Sequence, residues 1–218
     1  MTGIARFIDH TRLKPETTPA EIRTLCREAK RFGFATVCVN SGYVPLAARL
    51  LKNSGVGVCS VVGFPLGATA TPVNVAEARF AVRSGASEID MVMNIGLFKA
   101  GVYKEVVADI KAVKKAAGKR VVKVIIETGL LSESEKVRAA KLVIEAGADF
   151  VKTSTGFGPG GATVEDVALL AGVVKGSIWI KAAGGIRTLA QAGALIAAGA
   201  SRLGTSAGVA IVSEELKS

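Results

Sequence analysis

Five charged residues stand inside stretches that are otherwise apolar. Lys123 lies in RVVKVIIET, Lys152 in DFVKTST, Lys181 in SIWIKAAGG, Asp90 in EIDMVMN and Asp9 in RFIDHT. Alternation along an extended chain puts Lys123 on one face with Ile125 and Glu127, opposite Val122, Val124 and Ile126. Lys152 likewise shares a face with Phe150 and Ser154, and Lys181 with Trp179 and Ala183. If the strictly apolar faces point outward, all three lysines point inward. One such lysine reads as an internal salt-bridge partner of Glu127, Asp90 or Asp9. Three in one interior are costly to bury without a use. Crowded ammonium groups lower one another's pKa from about 10.4. A neutral amine in a water-poor site then attacks carbonyls to give a Schiff base. The pattern points to imine chemistry, in which one lysine attacks, a second keeps it deprotonated and a carboxylate moves protons.

The segments that follow two of these runs are rich in glycine. Lys181-Ala182-Ala183-Gly184-Gly185-Ile186-Arg187 precedes a helix starting near Thr188, and Ser201-Arg202-Leu203-Gly204-Thr205-Ser206-Ala207-Gly208 repeats the arrangement. Thr153-Ser154-Thr155-Gly156-Phe157-Gly158 is a third flexible, donor-rich loop. Loops after the seventh and eighth strands of a (β/α)8 barrel often bind phosphate through backbone N–H groups and a helix N-terminus. A phosphorylated substrate is the expectation.

The chain that must position these residues repeats one event. A helical pattern ends in a small-residue turn (KRFGFA, KNSGVG, VRSGAS, KAAGKR, IEAGAD, VVKGSI, IAAGAS), and an apolar strand follows. Glycine just past a helix is a stop signal because the left-handed conformation costs it little, and Lys or Arg in the last turn suits the helix dipole. Thr18-Pro19-Ala20-Glu21, Ser132-Glu133-Ser134-Glu135 and Thr163-Val164-Glu165-Asp166 are start signals. Eight strands alternate with eight helical segments, roughly 27 residues per unit across the 218 residues. An open doubly wound sheet shares this alternation, but the even units and the lack of G-x-G-x-x-G after the first strand favour a single (β/α)8 barrel over residues 1–218.

Composition narrows the function. Half the residues are hydrophobic and 21% are charged, which is a globular balance. The net charge of +10 is scattered along helices and aromatics are 5%, so nucleic acid is not an expected partner, and mild steering of anionic metabolites is. The longest uncharged stretch, Val56 to Ala76, is broken by Gly57, Gly63, Pro65, Gly67 and Pro72, unlike a membrane span. MTGIARFIDH lacks the apolar core of a signal peptide, and Cys26, Cys38 and Cys59 form neither a disulfide framework nor a CxxC pair, so a cytoplasmic location is expected. His10 is the only histidine, which leaves a histidine-based zinc site or serine hydrolase without support. Phe32, Phe34, Tyr43, Phe80 and Phe98 are candidates for an apolar surface patch.

Val151-Lys152-Thr153-Ser154-Thr155-Gly156-Phe157, Ile180-Lys181-Ala182-Ala183-Gly184-Gly185-Ile186-Arg187, Glu88-Ile89-Asp90-Met91-Val92-Met93-Asn94, Lys123-Val124-Ile125-Ile126-Glu127-Thr128, Ile8-Asp9-His10-Thr11 and Val37-Cys38-Val39-Asn40 together resemble the deoxyribose-phosphate aldolase family. The resemblance runs from the first strand to the eighth. It implies reversible cleavage of 2-deoxy-D-ribose 5-phosphate to acetaldehyde and glyceraldehyde 3-phosphate, with no metal or other cofactor, in a homodimer or homotetramer. By position it implies Lys152 as the Schiff-base residue, Lys181 as the cation beside it, and Asp90 as the proton relay with Lys181 and a water. Asp9, Cys38, Lys123 and Thr155 match positions of the substrate pocket, with a minor role for Cys38. Gly156, Gly184, Gly185, Gly204 and Ser206 match positions that hold the phosphate. Phe157 stands where some members carry a lysine, and the chain ends at Glu215-Leu216-Lys217-Ser218 without the aromatic-ended tail of others. Phosphate binding is therefore expected from backbone amides, Ser206 and Arg187. A Schiff-base barrel aldolase for a different aldol, and a non-catalytic phosphosugar- or nucleic-acid-binding barrel with structural lysines, are the competing readings.

Overall fold

The computed structural model describes residues 3–217. Eight parallel strands, β1 (Ile8–Arg12), β2 (Thr36–Val39), β3 (Gly57–Val62), β4 (Glu88–Val92), β5 (Val121–Ile125), β6 (Phe150–Lys152), β7 (Trp179–Ala183) and β8 (Arg202–Thr205), pair in chain order. The barrel closes where Asp9 of β1 meets Gly204 of β8. The helices outside are α1 (Pro19–Phe32), α2 (Val44–Leu51), α3 (Thr71–Arg83), α4 (Ile95–Lys99), α5 (Tyr103–Ala117), α6 (Glu133–Glu145), α7 (Val164–Val174), α8 (Leu189–Ala197) and α9 (Gly208–Glu215). Eight helical segments were expected. The described residues hold a ninth, the short α4, which begins because the Asn94 side chain accepts the Leu97 N–H at 3.0 Å.

The expected start and stop signals act locally as their chemistry requires. Thr18 and Ser132 form reciprocal capping boxes with Glu21 and Glu135, and Thr163 caps α7 by accepting the Asp166 N–H. Gly33 closes α1 at φ +69°, in the left-handed region.

Two apolar regions follow from strand alternation. Val122, Val124 and Ile126 point outward into the main core between barrel and helices. A second, small cluster of Leu13, Cys38, Cys59 and Val61, with Phe64 beside it, fills the interior near β2 and β3. The rest of the interior holds the charged side chains, with the Phe150 ring packed 5.9 Å from Lys123 Nζ. Phe34 and Phe98 are buried in the main core, so of the aromatic patch candidates only Phe80 is an exposed side chain. Trp179 is 60% exposed, because it begins β7 at the rim, two residues before Lys181.

His10 serves packing. Its ring tilts against Phe34, and its Nε2 lies 2.8 Å from Glu28. Burial lowers its pKa, with Glu28 opposing and Arg12 assisting. The folded state therefore binds its proton less readily than the unfolded chain. His10 adds stability above the unfolded value of about 6.5 that is lost as pH falls through the folded one. Urea melts should show stability decreasing from pH 7.5 toward 5.5, with a shallower decrease in His10→Phe.

Candidate active site

At the centre of the barrel one carboxylate holds three ammonium groups. Asp90 Oδ2 accepts from Lys152 Nζ at 2.7 Å and from Lys181 Nζ at 2.7 Å, and Asp90 Oδ1 accepts from Lys123 Nζ at 2.8 Å. Strand register produces this convergence. Asp90 pairs across to Lys123, and Lys152 pairs across to Lys181, all on inward-facing positions. Cys59 donates its thiol to Asp90 Oδ1 at 3.0 Å.

A second tier of charge lies around it. Lys181 also bonds Asp9, and Lys123 also bonds Glu88. Asp9 Oδ1 accepts from Thr36 Oγ1 at 2.7 Å and from Arg202 at 2.7 Å, and Arg202 reaches Glu88 at 3.1 Å. Four cations (Lys123, Lys152, Lys181, Arg202) thus face three carboxylates (Asp9, Asp90, Glu88).

This arrangement corrects the expected electrostatics. Burial pulls Lys181 and Lys123 toward neutrality, but the neighbouring carboxylates more than reverse it and hold both above the ordinary lysine range. Burial likewise raises Asp9 and Asp90, and the surrounding cations draw both below the ordinary carboxylate range. Crowding of cations is therefore not the dominant effect on Lys181 and Lys123.

Only one of the three lysines opens outward. A cleft of about 330 Å³ at the C-terminal ends of the strands is lined by Lys152 together with Thr155, Gly156, Gly184, Gly185, Gly204 and Ser206. Arg12, Lys14, Phe157 and Arg187 also face it. Lys123, Lys181, Asp9, Asp90 and Cys38, all fully buried, lie among the interior groups rather than on its wall. Gly204 gives this packing room, since a Cβ there would crowd Ala183 Cβ at 3.0 Å and Lys181 Cε at 3.1 Å. Gly184, at φ +90°, lets the β6–α7 and β7–α8 loops touch, and a Cβ on it would come 3.0 Å from Gly161 Cα.

Thr155 is set by Glu127, which turns away from the lysines. The Thr155 hydroxyl donates to Glu127 and accepts the N–H of Phe157 at 3.0 Å and of Gly158 at 3.2 Å. Among the described residues one group of donor atoms suits a metal, Cys38, Cys59 and Asp90 within 4.8 Å of one another. Lys123 Nζ already lies 2.8 Å from Asp90 and 3.5 Å from Cys59, occupying the place of a cation.

Comparison with known proteins follows this geometry. The DeoC/LacD family aldolase model matches residues 4–214. The chain belongs to this aldolase family. A deoxyribose-phosphate aldolase of Carboxydothermus hydrogenoformans is 59% identical over 215 residues, covering 97% of this chain and 94% of that protein. A solved structure titled "QR15, an Aldolase" superposes with a TM-score of 0.96 at 46% identity, covering 100% of this chain and 97% of the other. The deoxyribose phosphate aldolase of Aeropyrum pernix, described as a unique tetramer, gives a TM-score of 0.89 at 37% identity, with coverage of 99% and 91%. The relatives share the closed barrel, so the fold expected from the alternation is also the fold of the family.

Several residues of this aldolase site went unseen in the sequence. Glu88 alternates with Asp90, and Arg202 with Gly204, so period two carried a signal for both. Both stand at strand starts, where charge reads as ordinary turn polarity. Cys59 carried no signal, since its meeting with Asp90 depends on the pairing of β3 with β4.

Loss of Arg202 should be felt in folding. Its removal leaves Asp9 and Glu88 with less compensation, and breaking a buried pair from one side typically costs about 3–5 kcal/mol. Arg202→Leu is expected to approach that loss in urea unfolding. Adding Glu88→Gln should restore part of it, giving a non-additive double-mutant cycle.

Proposed function

We propose that the chain is a class I aldolase that reversibly cleaves 2-deoxy-D-ribose 5-phosphate to acetaldehyde and D-glyceraldehyde 3-phosphate, with Lys152 as the Schiff-base residue. The observation that carries this reading is the position of Lys152, which belongs to the ammonium cluster around Asp90 and alone of the three lysines lines the cleft. The charge count supports it. Loss of the Lys152 proton leaves three cations matched by three carboxylates, and Lys152 has a single carboxylate partner where Lys181 has two. The reaction is the one for which the relatives from C. hydrogenoformans and Halalkalibacterium halodurans, 59% and 57% identical, are named.

The chemistry follows. The neutral Lys152 amine adds to the aldehyde carbon of the open-chain sugar, and loss of water leaves an iminium that acts as an electron sink. A base takes the proton of the 3-hydroxyl, the bond between the second and third carbons breaks, and its electron pair forms the enamine as glyceraldehyde 3-phosphate departs. Protonation of the enamine carbon and hydrolysis then release acetaldehyde and return the amine. Asp90, with Lys181 and a water, forms the proton relay for these steps. Lys123, Asp9 and Cys38 act from beneath by holding Asp90 and Lys181 in place. Thr155 meets the sugar.

Phosphate falls to Gly156, Gly184, Gly185, Gly204 and Ser206. Side chains already take the first amides of α8, with Thr188 N–H bonded to Gln191 and Leu189 N–H to Glu214. No side chain caps α9, which begins just after Ser206, so its amides suit an anion better. We place the enzyme in the cytoplasm as a homodimer or homotetramer, which light scattering distinguishes. No helix among the described residues is long and apolar enough to cross a membrane.

Lys152→Leu should reduce turnover to background while the fold persists, because Asp90 keeps Lys123 and Lys181 as partners. Asp90→Asn should slow deuterium exchange into the methyl group of acetaldehyde by about 10²–10⁴-fold, the usual scale for a lost proton-transfer group. Near wild-type turnover in Lys152→Leu would sink the assignment.

A further inference from the structure

Lys14 follows β1 directly and faces the same cleft as Lys152. Its Nζ stands 5.6 Å from the centroid of the Phe157 ring, within cation–π range. Phe157 also lines the cleft and is 45% exposed, an unusual cost for a large apolar side chain at a polar mouth. Its position is set from two sides. The ring meets Phe64 edge-on, with centroids 5.3 Å apart and planes at 88°, and the Phe157 N–H donates to Thr155 Oγ1.

The other cations near the cleft are differently engaged. Lys123, Lys181 and Arg202 are committed to buried carboxylates, and Arg12 lies 3.6 Å from Glu21, while Arg187 shares the cleft wall with Lys14. Lys14 has no carboxylate partner among the described residues. An aromatic face attracts an ammonium without accepting its N–H bonds in the way a carboxylate does. Such a platform orients the charge and leaves its three donors for another acceptor.

We infer that Lys14, steadied over the Phe157 ring, is the side-chain cation by which this cleft selects a phosphorylated sugar over the free sugar. The inference rests on the aldolase reading of the cleft. Lys14 binds the phosphate, and Phe157 is a positioning residue that acts through it. The dianion meets backbone amides and Ser206 on one side and the oriented Lys14 ammonium on the other.

The test compares kcat/KM for 2-deoxyribose 5-phosphate and for 2-deoxyribose in four proteins: wild type, Lys14→Gln, Phe157→Leu and Phe157→Tyr. Lys14→Gln should reduce the preference for the phosphorylated sugar by about tenfold, mainly through KM, as expected for a lost charge-assisted hydrogen bond. Phe157→Leu should reduce it by about threefold, whereas Phe157→Tyr, which keeps a ring face, should retain it. Raising ionic strength should narrow the wild-type preference more than that of Lys14→Gln. An unchanged preference in Lys14→Gln, or equal losses in Phe157→Leu and Phe157→Tyr, would overturn the inference while leaving the aldolase reading intact. A wild-type protein that cleaves neither sugar would overturn both.

Discussion

The Asp90 carboxylate, enclosed by the ammonium groups of Lys123, Lys152 and Lys181, is the contact on which the rest of the site depends. Charges taken out of water are tolerated only when each finds partners at close range. One carboxylate cannot satisfy three cations. The barrel therefore recruits Asp9 for Lys181 and Glu88 for Lys123, and Arg202 joins those two carboxylates from β8. The result is a network that spans six strands and leaves one positive charge in excess. This network ties the site to folding, because the groups that hold Asp90 are the groups that hold the interior together.

The barrel divides its interior to make this possible. Leu13, Cys38, Cys59 and Val61 keep one side apolar, while β4 to β8 and Asp9 of β1 carry the charge. The long stems of Lys123 and Lys181 fill space that larger apolar residues take elsewhere, and Gly204 leaves room for the Lys181 stem. Above the charged side, the glycine loops after β6, β7 and β8 surround the cleft. The charged network and the glycine-lined cleft thus sit on successive levels of one column, with Lys152 as the link between them.

Much of this was legible in the sequence because it is local or periodic. Capping pairs act within four residues, and the stop glycines act within one turn. Alternation of two placed Lys123, Lys152 and Lys181 on the inward face, and an inward lysine in an apolar strand is rare enough to stand out. What escaped was set by pairing between distant strands. Which carboxylate each lysine meets depends on register, so the sequence alone suggested mutual depression of lysine pKa values where the folded chain compensates Lys181 and Lys123 fully. Glu127 looked like a partner for a lysine, but it instead accepts from Thr155, since the chain turns at Glu127 with φ +53°. Phe34 and Phe98 looked like surface aromatics, yet Phe34 lies just before β2 and Phe98 on α4, and both are buried in the core between barrel and helices. Lys14 sits in an irregular segment, where periodicity gives no direction.

The central claim is that Lys152 forms the covalent imine. Incubation with acetaldehyde, reduction with borohydride, and peptide mass spectrometry test it most directly. A stable reduced adduct confined to the peptide that contains Lys152 is the result expected. An adduct on Lys181 or Lys123, or none in folded and active protein, would contradict it.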